Sequence, residues 1–249
     1  MTNLLGGLGL AALACLGLSR AAAAQGGPPL ATDDPGTPGP GRTELNVSAQ
    51  AERDVSGTVY DTPRLDANFG VGDRLQLKLE VPWRVATAPA QPTETGVGNV
   101  GIGVKWRFAE KGSLAVSTFP QLTFGRSENA QDQGIAQSDA EFLIPIEVAW
   151  IAGPVALNAD MGYQNAAGAE EIIYGLAAAR GIPPSLELLG ECHGSGDIDL
   201  THQGVLCGLG FRCKLQQAVS LMGAFAAAVA GADEDRSDYR AYGGVQLRW

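Results

Sequence analysis

The chain holds two histidines, His193 and His202, and both sit in one stretch with other groups capable of covalent chemistry. It reads Glu191-Cys192-His193-Gly194-Ser195-Gly196-Asp197-Ile198-Asp199-Leu200-Thr201-His202. Ser, His and Asp are the ingredients of a nucleophilic triad, in which imidazole takes the hydroxyl proton and a carboxylate orients the ring. Gly194-Ser195-Gly196 lacks the nucleophile-elbow pattern, and a single loop is a poor frame for a pre-organised triad. Glu191, His193, Asp197, Asp199 and His202 also offer carboxylate and imidazole to zinc or calcium. The preferred reading is a solvated acidic loop near 194–203, with no catalytic residue, no metal and no cofactor. An outer-membrane hydrolase acting through Ser195 stays as the least favoured class.

Other acidic groups cluster in what read as loops: Glu128, Asp132 and Asp139; Glu170 and Glu171; Asp233, Glu234, Asp235 and Asp238. Arg126 and Arg236 are the main bases beside them. An acidic mouth would enrich cations. The preferred reading is a solvated rim beside lipopolysaccharide, because surface charge alone carries no selectivity. The formal charge is −10, with no basic patch or tail, so nucleic-acid binding lacks its electrostatic footprint.

Such groups need a frame, and alternation supplies one. Leu75, Leu77, Leu79, Val81 and Trp83 alternate with Gln76, Lys78 and Glu80. Val100, Ile102, Val104, Trp106 and Phe108 alternate with Gly101, Gly103, Lys105 and Arg107. The last strand carries Tyr239, Ala241, Gly243, Val245, Leu247 and Trp249 on one face and Arg240, Tyr242, Gly244, Gln246 and Arg248 on the other. Period two places one set in lipid and the other in a lumen. About twelve such strands can be counted over 44–249, an even number, as expected of a single-chain up-and-down antiparallel transmembrane β-barrel.

Connections also alternate. Short turns are expected at 71–73, 109–112, 152–154, 182–184 and 213–216. Longer ones are expected near 53–62, 85–97, 125–139, 165–170, 194–203 and 230–238. Short periplasmic turns and longer outer loops produce that pattern. Outward aromatics fall into two rings, as at membrane interfaces. Trp83, Phe124, Phe142, Tyr163, Tyr174 and Tyr239 lie toward the longer loops. Phe69, Trp106, Phe108, Trp150, Phe211 and Trp249 lie toward the short turns.

Before the strands, 1–24 reads as an export signal: an apolar run from Leu4 to Leu18, then Ala22-Ala23-Ala24 as the cleavage site. Lipidation at Cys15 is disfavoured by Ala12 where a Leu is expected. The Pro/Gly-rich stretch 25–43 reads as an extended periplasmic lead-in. Three cysteines remain, Cys192, Cys207 and Cys213. The preferred reading is small apolar residues, with a Cys192–Cys207 bridge across a hairpin as the alternative.

Particular strings then matter. Leu30-Ala31-Thr32-Asp33-Asp34-Pro35-Gly36-Thr37-Pro38-Gly39-Pro40-Gly41 with Glu44-Leu45-Asn46 resembles the mature start of a family of outer-membrane transporters labelled for a phenol meta-cleavage pathway. Gly70-Val71-Gly72-Asp73-Arg74-Leu75-Gln76-Leu77 and Val81-Pro82-Trp83 resemble its second hairpin. Residues 96–108 resemble its fourth strand, and Phe119-Pro120-Gln121-Leu122 its fifth. The resemblance covers about 30–125 well and the rest by pattern. It implies passage or capture of small solutes in the bacterial outer membrane, with no catalytic motif.

Within the lumen, Lys78, Glu80, Lys105, Arg107 and Glu147 are expected as a constriction, by inward parity and opposite sign. Gly175, Ala177, Ala179, Gly208, Gly210, Ala224, Ala226 and Ala228 would form a small apolar wall with room for a hydrophobic or aromatic solute. Alternatively, the Pro/Gly segment fills that space. Expected partners are outer-membrane lipid and lipopolysaccharide, the small solute, and barrel-assembly machinery recognising the strand that ends on Trp249. A structural or adhesive barrel with a filled lumen and partner-binding loops is the second class.

Overall fold

The computed structural model describes residues 27–166, 168–200, 203–231 and 237–249. The export signal, Cys15, His202 and the Asp233–Arg236 cluster lie outside these residues.

Fourteen strand segments form one antiparallel sheet. They are β1 (Thr43–Asp54), β2 (Gly57–Val71), β3 (Leu75–Thr87), β4 (Glu94–Val97), β5 (Val100–Lys111), β6 (Leu114–Thr118) and β7 (Gln121–Phe124). After the one-turn helix α1 (Glu128–Asp132) come β8 (Glu141–Ala152), β9 (Val155–Ala166), β10 (Ala169–Ile182), β11 (Leu186–Asp197), β12 (Gln203–Gln216), β13 (Val219–Ala230) and β14 (Tyr239–Arg248). β4 and β5 both pair with β3, and β6 and β7 both pair with β5 and β8. Each couple is therefore one stave in two pieces, broken at Gly98-Asn99 and at Phe119-Pro120, and the barrel has twelve staves. It closes where Glu44 of β1 faces Arg248 of β14 and Arg53 faces Tyr239. Closure removes every sheet edge and satisfies the backbone within the wall, as a hydrocarbon surround demands.

The packing is inside out relative to a soluble protein. Asn46, Asp66, Asn68, Gln76, Lys105, Ser117, Glu147 and Asn158 are buried. Leu75, Leu77, Leu79, Ile102, Val104, Ile144, Ile146 and Leu209 are exposed. The alternation of the sequence is thus a lumen face and a lipid face. Trp83, Phe124 and Phe142 stand exposed toward one rim, and Phe69, Trp106, Phe108, Trp150, Phe211 and Trp249 toward the other. Leu209 is 76% exposed mid-stave and faces Phe225 of β13. Leu209→Arg is expected to lower barrel stability by about 2–4 kcal/mol, as arginine does at a bilayer midplane. Denaturant unfolding from vesicles measures this; an unchanged midpoint would put Leu209 at an interface instead.

Turns at one end are all two or three residues long: 72–74, 112–113, 153–154, 183–185 and 217–218. The other end is more mixed than the sequence suggests. The loops expected near 53–62 and 165–170 are shorter, because β1 runs to Asp54 and β2 starts at Gly57, and β9 runs to Ala166 and β10 starts at Ala169. Gly57-Thr58-Val59-Tyr60 is β-branched and aromatic enough to open β2 at once. The acidic loop 194–203 also shrinks to 198–202, since β11 continues through Asp197. The long connection 125–140 folds back over the mouth, burying Ala130, Ile135 and Ala136. Asn99 holds it, donating to the Phe124 and Gln137 carbonyls at 2.8 and 3.0 Å and accepting from the Gln137 N–H at 2.7 Å.

The Cys192–Cys207 reading is corrected in favour of the bridge. The two residues are directly opposite in the β11–β12 register and form a disulfide, while Cys213 is free. Both lie on the parity opposite to the buried Glu191 and Leu206, so the bridge is on the outer face.

Candidate functional site: the lumen and its N-terminal plug

Residues 27–39, within the stretch 25–43 expected as a periplasmic lead-in, run inside the barrel, and 40–42 are exposed. Leu30 packs against Ala177, Ala179 and Leu189, with Ala224 beside it. Gly175 sits under Thr32: a Cβ there would lie 2.4 Å from the Thr32 hydroxyl oxygen and 2.4 Å from Asp160 Oδ1. The small wall is therefore the seat of a plug. At Gly208 and Gly210 the tight contacts are instead with β13, at Phe225 O and Ala226 and at Gly223 O and Ala224.

Side chains around the circumference grip the plug backbone. The Glu191 carboxylate accepts from the Ala31 N–H at 3.1 and 3.0 Å and the Thr32 N–H at 3.0 Å. Asp160 Oδ2 accepts from the Asp33 N–H at 3.2 Å. Arg212 donates to the Pro28 carbonyl at 2.8 Å and pairs with Glu187 at 2.5 Å. Lys105 donates to the Asp34 carbonyl and pairs with Asp33 at 2.9 Å and Glu147 at 3.4 Å. Ser117 donates to Glu147 at 2.5 Å, and the Lys105 ammonium stands 4.7 Å from the Phe119 ring centre. Burial pushes the Asp34 carboxyl up from its ordinary range, against the pull of the Lys105 ammonium.

The five residues expected as a constriction fall into three places. Lys105 and Glu147 meet at the plug, 2% and 0% exposed. Lys78 and Glu80 pair at 3.0 Å higher on the wall, where Arg64 also reaches Glu80 at 2.6 Å. Arg107 is at the short-turn rim, 3.3 Å from Glu110 and donating to the Asp73 carbonyl at 2.6 Å. Below them an amide ladder crosses the closing seam. Gln76 donates to Asn68, Asn68 and Asn46 donate to Asp66, and Gln246 donates to Asn46, at 2.7–3.2 Å. Shared donors and acceptors let these buried groups avoid the cost of being unpaired.

Sequence parity missed Asp61, whereas Arg64 shares the inward parity of Asp66 and Asn68. The β2–β3 register shifts between Asp61 and Arg64, around Thr62-Pro63. Proline cannot donate to the ladder, and across the bulge Asp61, three residues before Arg64 and so on the opposite parity, also faces the lumen. Asp61 takes a two-point contact from Arg84 at 2.8 and 3.0 Å. The triad candidates His193, Ser195 and Asp197 are strand residues, spaced two apart along β11 at about 6–7 Å, while Asp199 lies beyond the strand end. His193 Nδ1 lies 3.7 Å from Glu191 Oε1 and has no hydrogen-bond partner among the described residues.

The free space is a funnel. A vestibule of about 670 Å³ opens on the long-loop side, floored by Ala31 and Thr32. It narrows to about 190 Å³ beside Leu30, Arg64, Arg240 and Tyr242. Between the plug and the amide ladder, about 40 Å³ is left.

No family model and no curated protein matches the chain. Solved structures do. The COG4313 outer-membrane channel from Pseudomonas putida F1 aligns over 90% of this chain and all of its own, at 12% identity and TM-score 0.66. The KdgM porin aligns over 82% of this chain and 98% of its own, at 8% identity and TM-score 0.59. The translocator domain of the autotransporter NalP from Neisseria meningitidis covers 85% and 89%, at 12% identity and TM-score 0.51. At such identities the likeness speaks for architecture, and it agrees with the inside-out packing: the chain has the fold of a twelve-stranded outer-membrane β-barrel.

Proposed function

We propose that the chain is a bacterial outer-membrane channel, or capture barrel, for small solutes with an apolar or aromatic body, closed at rest by residues 27–39. The funnel carries the reading: about 670 Å³ at the mouth, about 190 Å³ beside the plug, about 40 Å³ behind it. A solute entering from the long-loop side meets polar walls and then the apolar patch of Leu30, Leu143 and Ile173. The resemblance to transporters labelled for aromatic degradation favours the same solute class. The Lys105–Glu147–Asp33 cluster acts as the latch, since it joins wall to plug through charged contacts. Export by the N-terminal signal, and recognition of the β14 strand by assembly machinery, belong to this reading.

Gly175→Leu tests it. The new side chain takes the space of Thr32, so the plug cannot seat, and conductance in planar bilayers is expected to rise several-fold over the wild type. If neither protein conducts, the barrel is structural, and the filled lumen around Leu30 favours that second class.

A further inference from the structure

The carboxylates that line the 190 Å³ cavity are all engaged. Glu80 takes Arg64 and Lys78, Glu147 takes Ser117 and Lys105, Asp33 takes Lys105, Asp66 takes Asn46 and Asn68, and Asp160 takes a backbone N–H. Two donors at the same cavity are not. Arg240 makes no hydrogen bond or ion pair among the described residues, although it borders both the cavity and the vestibule. The Tyr242 hydroxyl, two residues along the same lumen face of β14, is buried with no hydrogen bond of normal geometry among the described residues and has the Ser48 side chain as its polar neighbour. Their neighbours on β13 are Ala226 and Ala224, which leave the two side chains room. Glu52 stands opposite Arg240 in register, but its carboxylate accepts from Ser237.

A guanidinium and a phenol that border one cavity with no hydrogen-bond acceptor among the described residues form half of a binding site. What completes it is an acceptor that carries negative charge, because a charge-assisted bond to arginine is about twice as strong as a neutral one. Leu30, Leu143 and Ile173 line the same cavity and suit an apolar body. The cavity holds about six waters' worth of volume at ~30 Å³ each, which suits a single ring or a short chain.

We infer that this cavity binds a small organic carboxylate, with the carboxylate on Arg240 and Tyr242 and the ring or chain against Leu30, Leu143 and Ile173. The inference rests on the proposed channel and names its solute class. The anion is drawn to the guanidinium at this cavity; of the carboxylates around it, Glu80, Glu147 and Asp33 are paired with cations, and Asp66 and Asp160 are held by neutral donors.

The test uses the exported, folded, full-length barrel in detergent, with benzoate and its neutral analogue benzamide as probes. Calorimetry is expected to show saturable benzoate binding, at least tenfold tighter than benzamide. Arg240→Gln is expected to abolish that preference, Arg240→Lys to retain part of it, and Tyr242→Phe to weaken benzoate several-fold. Equal binding of the two probes, or an Arg240→Gln barrel that still prefers benzoate, overturns the site. Failures are separable in planar bilayers. A barrel that conducts but shows no benzoate binding loses the carboxylate site and keeps the channel. A barrel that binds benzoate but conducts in no variant keeps the site and loses the channel.

Discussion

A barrel lacking residues 27–41 is expected to pass about tenfold more current than the intact chain, because twelve strands enclose more space than their side chains can fill. Eight-stranded barrels are filled by their own side chains, whereas those of sixteen strands or more leave an aqueous channel. Twelve lies between, and here the balance is supplied by the plug. Leu30 covers the small residues of β10 and β11, and Gly36 to Pro38 lie over the amide ladder. Deleting the segment joins the 190 Å³ and 40 Å³ cavities to the vestibule and takes away Asp33 and Asp34. Single-channel recording of the deletion variant measures the change. Conductance equal to that of the intact chain would make the Gln76–Asn68–Asp66–Asn46–Gln246 ladder, not the plug, the narrowest barrier.

The second large effect is on stability. Lys105→Met is expected to destabilise the folded barrel by about 3–5 kcal/mol, the usual cost of leaving a buried charge without its partner. Lys105 is the hub of its cluster: Asp33 at 2.9 Å, Glu147 at 3.4 Å and the Asp34 carbonyl all depend on it. Glu147 is fully buried, so its carboxylate has no water to turn to. Guanidinium unfolding of the refolded barrel reads the loss. The double variant Lys105→Met/Glu147→Gln is expected to recover about half, since it removes one of the stranded charges. A Lys105→Met barrel that unfolds with the wild type would mean the cluster is hydrated through the lumen.

Much of this architecture is legible in the sequence because the lipid and lumen faces impose period two with few exceptions. Leu75 to Trp83 and Val100 to Phe108 declare their outward faces residue by residue. The terminal strand likewise places Arg240 and Tyr242 inward by its alternation alone. Two kinds of feature escape. A bulge breaks parity, and Thr62-Pro63 hides Asp61 that way. A segment with no period reveals no partner, so Gly27 to Arg42 gives no hint that Glu191, Asp160 and Arg212 are waiting for its backbone. Glu191 in particular reads as one of several loop acids, although it shares the inward parity of Leu189. The disulfide is decided by register: the β11–β12 pairing that sets Gly196 against Gln203 also sets Cys192 against Cys207.

The plug joins the first described residues to the far end of the chain. Ala31 finds Glu191 across 160 residues, and Pro28 finds Arg212 across 184. Contacts of such sequence separation carry the largest loop-closure entropy and form slowly. β9, β11 and β12 must already be in place before Asp160, Glu191 and Arg212 can hold anything. The part of the barrel that leaves the ribosome early is thus the part that docks late. In the channel proposed above, a newly closed barrel passes through an interval in which its pore is open, and maturation ends when its own leading segment shuts it.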